Sequence, residues 1–557
     1  MLTTSEGFVG PNSEHLPPMI GKSAMMSFRS SASRISSFKN LTRSSGIAAA
    51  ILLQPVTTFA AEDLPPPETP GVDIPSGQID KAIGQLDTLA AKIRERSGIP
   101  GMSVVVVRDG KTVYAKGFGI RKVGDPALVD ADTVFQIASL SKSISATVVA
   151  QQIGAGVISW DTPVVKHLPW FKLSDPYVTA HATVADFFAH RSGLPDHAGD
   201  ELEDLGFDGR QGLERLRLLP LSPFRITYAY TNFGLTAAAE AVAAAAGKDW
   251  ATLSEDALFK PLGMSATSAR FADFEKRDNR AHGHVKIAGQ YEPKYQRQPD
   301  AQAPAGGVSS SANDLGKWLA LVLQNGKFGG KEIVPAVDLL PAMTAEIVAS
   351  PSHSIEARPG LYGYGFNVGV TAAGRMEISH SGAFAQGAGT SFTLLPSAHI
   401  GIAVLTNASP TGVAESLAHE FLDLVQFGSI KRDWFATYSP LFARMMAPTG
   451  ELLGKAPPAK PAAAAEPAAY VGSYNSDYYG DASISENNGA LTLTIGPAKI
   501  KYALKHYDGN TFVFYPTSEN QNFGSVSTLR FSNLTGDVYA TMNIEYLEFD
   551  DGRFSRR

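Results

Sequence analysis

Three short pairings in this 557-residue chain join residue types able to transfer an acyl group: Ser139 with Lys142, Tyr230 with Asn232, and His380 with Gly382. A serine hydroxyl is a weak nucleophile until a neighbouring base takes its proton. In Phe135-Gln-Ile-Ala-Ser139-Leu-Ser-Lys142 a predicted helix opens at the serine, and a spacing of three stacks Lys142 on the same face. Burial lowers a lysine's pKa, so such a lysine can be that base, or it can keep its charge beside a second one. The helix start adds positive potential where an oxyanion would form. The pairing says little alone, because Ser36 and Lys39 repeat it near the chain start.

Tyr230-Thr-Asn232 is the one Tyr-x-Asn in the chain. A phenol ionises near about pH 10, so it becomes a base only where a cation such as Lys142 stabilises the phenolate. Asn232 could steady that lysine and donate to a substrate carbonyl. His-x-Gly occurs at His197, His380 and His399. His380 is preferred because it ends a strand-like run, RMEISHSG, and small residues follow to Gly389. A backbone N–H near Ala383 would then face the reacting carbonyl, with Ser381 and Gly382 beside the substrate. His197, in an acidic stretch, and His399, just ahead of a strand, read as structural or surface residues.

Residues so far apart need elements to hold them. Ile83, Leu86, Leu89 and Ile93 recur at helical spacing over 79–94. The stretches 101–107 and 112–117 form a predicted hairpin around Asp109-Gly110. A helix is predicted over 139–155, then helix and loop from about 160 to 270. Strand patterns return at 363–370, 375–382, 390–396 and 401–407. Early strands, a helical middle and late strands predict an α+β domain over 78–430, an antiparallel sheet with an inserted helical lobe. Residues 431–469 connect, ending in the Pro/Ala run of 456–469. Over 470–557 short alternating segments are punctuated by Asn488-Gly489, Asp508-Gly509 and Asp551-Gly552, as about eight strands of an antiparallel β-barrel would be.

Ser-x-x-Lys, Tyr-x-Asn and His-x-Gly in this order resemble the class C β-lactamase-related serine hydrolases. That group includes penicillin-binding proteins, D-alanyl-D-alanine carboxypeptidases, D-aminopeptidases and esterases. TVADFFAHRSGLP (183–195), PLGMSATS (261–268) and APAGGVSSSANDLGKWL (303–319) extend the resemblance across 78–430. The C-terminal stretch 470–557 resembles the lipocalin-like domains that some members carry. The resemblance implies a β-lactamase/transpeptidase-like fold and an acyl-enzyme on Ser139. Lys142 and Tyr230 would shuttle protons in an order left open, and the N–H groups of Ser139 and Ala383 would form the oxyanion hole. It implies no cofactor and no metal. At position 380 the β-lactamases of this branch usually carry lysine and some peptidases histidine. That ranks a D-amino-acid peptidase or amidase above an esterase, a β-lactamase or a low-turnover penicillin-binding sensor.

Composition narrows the rest. Hydrophobic residues at 44% against 18% charged exclude general disorder. A net charge of -6 argues against a nucleic-acid surface and leaves a small-molecule or peptide substrate.

 A partner of either kind could come from the cell wall. Zero cysteines exclude disulfides and thiolate chemistry. His282 and His284 lack a third ligand at a telling spacing and read as solvated. The acidic run 200–208 reads as a solvated face, and Tyr362, Tyr364 and Phe366 as strand core that could border the site. Arg34, Lys39 and Arg43 precede an apolar stretch over 47–56, followed by Thr58, Ala60 and Ala61. This predicts a secretory signal over 1–61 cleaved near Ala60/Ala61, a lead-in over 62–77, and a periplasmic or secreted protein without a membrane span.

Overall fold

The computed structural model describes residues 71–557, so the predicted signal lies outside the described residues. Two short helices come first, α1 (Gln78–Gly84) and α2 (Leu86–Ser97). The expected single helix over 79–94 is therefore interrupted at Gln85, next to a helix-weakening glycine. The predicted hairpin is present as β1 (Gly101–Arg108) and β2 (Lys111–Gly119). In β1 the valines alternate between two cores: Val104 and Val106 pack with Leu86 and Phe421, Val105 and Val107 with Leu315 and Leu319. A strand covered on both faces needs this unbroken apolar run.

The helical lobe contains α3 (Leu140–Gly154), α4 (Asp200–Asp204) and α5 (Asn232–Ala246), and α6 (Ala312–Leu323) packs back on β1 and β2. The chain then returns to the sheet through β3 (Ile347–Ser350), β4 (Gly360–Tyr362), β5 (Asn367–Val370), β6 (Met376–Phe384), β7 (Ala388–Leu395) and β8 (Ile400–Thr406). The strand order is β2-β1-β8-β7-β6-β5-β4-β3, and every pairing is antiparallel. Helix α7 (Val413–Phe427) covers one face.

The expected strand over 363–370 is only half a strand. Residues 363–366 turn between β4 and β5, and Gly365 takes a φ of 78° with its back to α3. A Cβ there would lie 2.7 Å from the Lys142 carbonyl oxygen. Pairing with β5 ends at Ser379, whereas pairing with β7 runs on to Phe384. One edge of β6 from His380 onward is thus left unpaired by β5.

Helix α8 (Trp434–Met445) lies in the connecting segment. Nine antiparallel strands follow: β9 (Gly472–Ser476), β10 (Gly480–Asn487), β11 (Ala490–Ile495), β12 (Ile500–Ala503), β13 (Lys505–Asp508), β14 (Thr511–Phe514), β15 (Ser527–Thr535), β16 (Val538–Ile544) and β17 (Arg553–Arg556). Their order is β12-β11-β10-β9-β17-β16-β15-β14-β13. The two end strands are separated only by Leu504, so the sheet nearly closes into a barrel. Tyr470 stacks on Tyr539 at 5.2 Å in its interior.

The acidic run at 200–208 is not a solvated face. Asp200 and Leu202 are buried in α4, Glu203 pairs with buried Arg297 at 2.6 Å, and Glu201 accepts hydrogen bonds from Tyr479 and the Glu548 N–H of the barrel segment. Charges meant for water are instead matched by partners distant in sequence. His284 is also buried. Its Nε2 accepts from the Val123 N–H at 3.0 Å, and Nδ1 meets the Asn407 carbonyl at 2.8 Å, which gives it a structural role.

Candidate active site

Ser139 caps the start of α3 after a left-handed residue, Ala138, with φ of 49°. That conformation costs an alanine about 1–2 kcal/mol, and it turns the chain sharply from Phe135–Gln136 into the helix. Lys142, one turn on, is buried, and its Nζ lies 3.0 Å from Ser139 Oγ. The other two contacts of Nζ are Asn232 Oδ1 at 2.7 Å and the Ala305 carbonyl at 2.9 Å. Burial lowers the Lys142 pKa to about 7, opposed by the charge of Asp200.

Tyr230 comes from the segment just before α5, and its hydroxyl donates to Ser139 Oγ at 2.7 Å. Burial pushes this phenol well above its ordinary pKa, although the bond to Ser139 works the other way. Lys142 Nζ also sits 4.5 Å from the centre of the Tyr230 ring. Asn232 begins α5 and is fixed on its other side by donation to Asp200 Oδ2 at 2.8 Å.

His380 and Gly382 share one face of β6, and Ser381 takes the other. A Cβ on Gly382 would come within 2.5 Å of the Ile137 carbonyl and 3.1 Å of the Ser139 nitrogen. Only glycine lets β6 approach the Ser139 turn this closely. The Ser381 side chain, expected beside the substrate, takes the face of β6 opposite to His380 and Gly382. Ala383 is exposed at the end of the unpaired edge.

His380 is buried, and desolvation takes its pKa down to about 3, with the Lys142 charge adding to the effect. Its Nδ1 lies 2.7 Å from the Ser381 carbonyl and its Nε2 2.9 Å from the Tyr362 hydroxyl. A carbonyl can only accept, so the proton sits on Nδ1, and Nε2 accepts from Tyr362. A free imidazole would be partly protonated near pH 7, but burial keeps His380 neutral. Tyr362 borders the site through this bond, whereas Tyr364 and Phe366 pack on Trp160 and Trp318.

Three residues of this neighbourhood were given no role in the site by the motifs. Asp200 anchors Asn232 and also holds His197 Nδ1 at 2.8 Å, which raises the His197 pKa through that hydrogen bond first. His197, expected to be structural or surface, thus stands beside the Tyr230 ring at 5.8 Å. Buried His190 accepts from the Thr231 N–H at 3.2 Å and packs on Tyr230 at 4.6 Å. The one available signal was that His190 lies inside TVADFFAHRSGLP. A cavity of about 530 Å³ adjoins His197 and Asp200 and is walled on its far side by Tyr478, Asn520 and Phe549 of the barrel segment. Among the described residues no cluster of three or more metal-ligating side chains occurs, and no helix is long and apolar enough to cross a membrane.

Residues 86–426 match the family model described as Beta-lactamase, and 456–553 match a domain of unknown function, DUF3471. The chain is 27% identical over 404 residues to "Unguisins hydrolase ungD'" of Aspergillus campestris, covering 69% of this chain and 73% of that protein. It is 23% identical over 353 residues to "D-alanyl-D-alanine-carboxypeptidase/endopeptidase AmpH" of Escherichia coli K12, covering 61% and 88%. The structure of the octameric penicillin-binding protein homologue from Pyrococcus abyssi shares the fold, with a TM-score of 0.54 at 20% identity over 85% of this chain and 99% of that one.

Proposed function

The chain belongs to the β-lactamase family of serine hydrolases, and on that premise we propose that it cleaves amide or peptide bonds through an acyl-enzyme on Ser139, in the manner of a D-amino-acid peptidase or carboxypeptidase. The observation that carries this reading is the convergence of Lys142 Nζ at 3.0 Å and the Tyr230 hydroxyl at 2.7 Å on one oxygen, Ser139 Oγ.

Burial, which lowers the Lys142 pKa to about 7, favours an order of proton transfer that the hydrogen bonds accommodate. Two of the three Lys142 contacts are carbonyl oxygens, which only accept. A neutral amine gives its two N–H groups to them and turns its lone pair to Ser139 Oγ. Lys142 therefore takes the serine proton as Oγ attacks the substrate carbonyl. The oxyanion is received by the N–H groups of Ser139 and Ala383. Tyr230, held protonated by burial, donates to the leaving group and is resupplied from Lys142. Water then cleaves the acyl-enzyme by the same relay in reverse. Acylation by one carbonyl and release by water balance without a cofactor.

A second reading, carboxylesterase, is favoured by the neutral state of His380, which places no fixed charge there to demand a substrate carboxylate. We also propose export by the 1–61 signal to the periplasm or beyond, a hydrolase domain over 78–430 and a lipocalin-like barrel over 470–557. The deciding assay sets the mature protein and Ser139→Ala against p-nitrophenyl esters, D- and L-aminoacyl p-nitroanilides, D-Ala-D-Ala peptides and nitrocefin. Preferential turnover of D-peptides supports the peptidase; turnover of esters alone supports the second reading. Activity retained by Ser139→Ala refutes both. The N-terminal residue of the exported protein checks the cleavage site.

A further inference from the structure

The loop over 515–526, between β14 and β15, leaves the barrel and grips both walls of the site. On one wall Asn520 Nδ2 donates to the Asp200 carbonyl at 3.1 Å and to Asp204 at 2.9 Å. On the other, Glu519 Oε1 accepts from the Ala385 N–H at 2.8 Å and Oε2 from the Gln386 N–H at 3.2 Å. Two N–H groups on one carboxylate make a charge-assisted, directional clamp.

The clamped turn leads directly to the proposed oxyanion hole. Gly387 closes it by donating to the Phe384 carbonyl at 2.9 Å. Ser409 Oγ donates to the Ala385 carbonyl at 2.6 Å, so the hydrolase domain holds one side of this peptide and the barrel the other. Phe384 packs on Ala138 and Ala388, and the Arg297 guanidinium lies 5.4 Å from its ring. Ala138 immediately precedes Ser139, and Phe384 immediately follows Ala383. The seat of this one ring therefore sets the spacing of the two N–H groups that would share an oxyanion.

We propose that Glu519 is a positioning residue of the oxyanion hole: by holding the Ala385 and Gln386 N–H groups it keeps Ala383 in register with Ser139, and the barrel thereby acts on the chemical step. The inference rests on the acyl-enzyme reading above. A merely structural clamp would not care which atom accepts the developing charge, and that distinction gives the test.

Glu519→Gln, which keeps the volume, Glu519→Ala, and Tyr515→Ala, exposed on the same loop, are compared in the full chain. Each is assayed with an aryl ester and with the corresponding thionoester, whose sulfur is a poor hydrogen-bond acceptor. Loss of one oxyanion donor costs about 100-fold or more in kcat, so misplacement by Glu519→Gln should cost about 10-fold and by Glu519→Ala about 100-fold. KM should stay within about 3-fold, and the ester-to-thionoester rate ratio should fall in step with kcat, while Tyr515→Ala leaves both unchanged. If Glu519→Ala does not fold, the isosteric glutamine carries the test. A wild-type kcat in Glu519→Gln, a loss confined to KM, or a lower kcat with an unchanged ratio overturns the proposal and leaves the acyl-enzyme reading standing. Failure of the wild-type chain to be acylated at Ser139 overturns both.

Discussion

Lys142 Nζ stands 3.0 Å from Ser139 Oγ with its other two hydrogen bonds committed to oxygens that cannot donate. That arrangement accommodates a neutral amine with its lone pair toward Ser139, and burial brings the Lys142 pKa to about 7. The reactive form is the deprotonated one, so kcat/KM for an uncharged ester should rise with pH through about 7 and level off above it. Lys142→Arg remains cationic at any accessible pH; general-base loss of this kind costs about 100- to 10,000-fold. A pH-independent profile from pH 5.5 to 8.5 would sink the assignment of Lys142 as base.

Tyr230→Phe preserves the ring against His190 but removes the donor to Ser139 Oγ. A leaving amine needs a proton more than nitrophenolate does. The variant should therefore lose about 1000-fold on p-nitroanilides and only about 10-fold on p-nitrophenyl esters, within the usual span for general acid catalysis. Equal losses on the two leaving groups would remove Tyr230 from the proton relay.

His380 is neutral and enclosed by Tyr362 and the Ser381 carbonyl. His380→Lys would add a cation at this point. A charge-assisted hydrogen bond contributes about 1.5–3 kcal/mol, so KM for carboxylate-ended substrates should fall about 10-fold relative to that for neutral esters. The added charge should also move the acid limb of the pH profile below 7. An unchanged KM for both substrate types is the contrary result.

Gly382→Ala places a methyl group about where the Ile137 carbonyl and the Thr390 hydroxyl already sit. Overpacking of this kind costs about 1–3 kcal/mol, and relief requires β6 to move away from Ser139. The expected outcome is a Tm drop with at least a 10-fold lower kcat, roughly as for a weakened oxyanion site. Wild-type kinetics in the folded variant would show that this strand does not need so close an approach.

Arg297 lies between Glu203 and the barrel loop, and burial raises both Glu203 and Glu519 to about 7 against its opposing charge. Arg297→Met leaves those carboxylates without a cation, at a cost of about 3–5 kcal/mol. The sign with pH follows from protonation. At pH 5.5 both acids are largely protonated in the folded protein and the missing cation matters little; at pH 8 both are charged. The Tm deficit should therefore be larger at pH 8. A deficit equal at both pH values would show that Arg297 contributes packing alone.

The sequence by itself determined what depends on short range. A three-residue helical spacing sets Lys142 over Ser139 whatever surrounds them, and the alternating segments after residue 470 form strands because each buries every second side chain. The order of the three pairings also identified which distant residues to bring together. Tertiary structure decided how those groups ionise and which of them face one another. The same acidic run could have been a wet surface; it is buried because Arg297, Tyr479 and the Glu548 N–H arrive from elsewhere in the chain. His380 could have been a cation; enclosure makes it neutral, since a charge must leave water to exist there. Glu519 carried no motif at all, and its place beside Ala385 exists only because the barrel folds against the hydrolase domain.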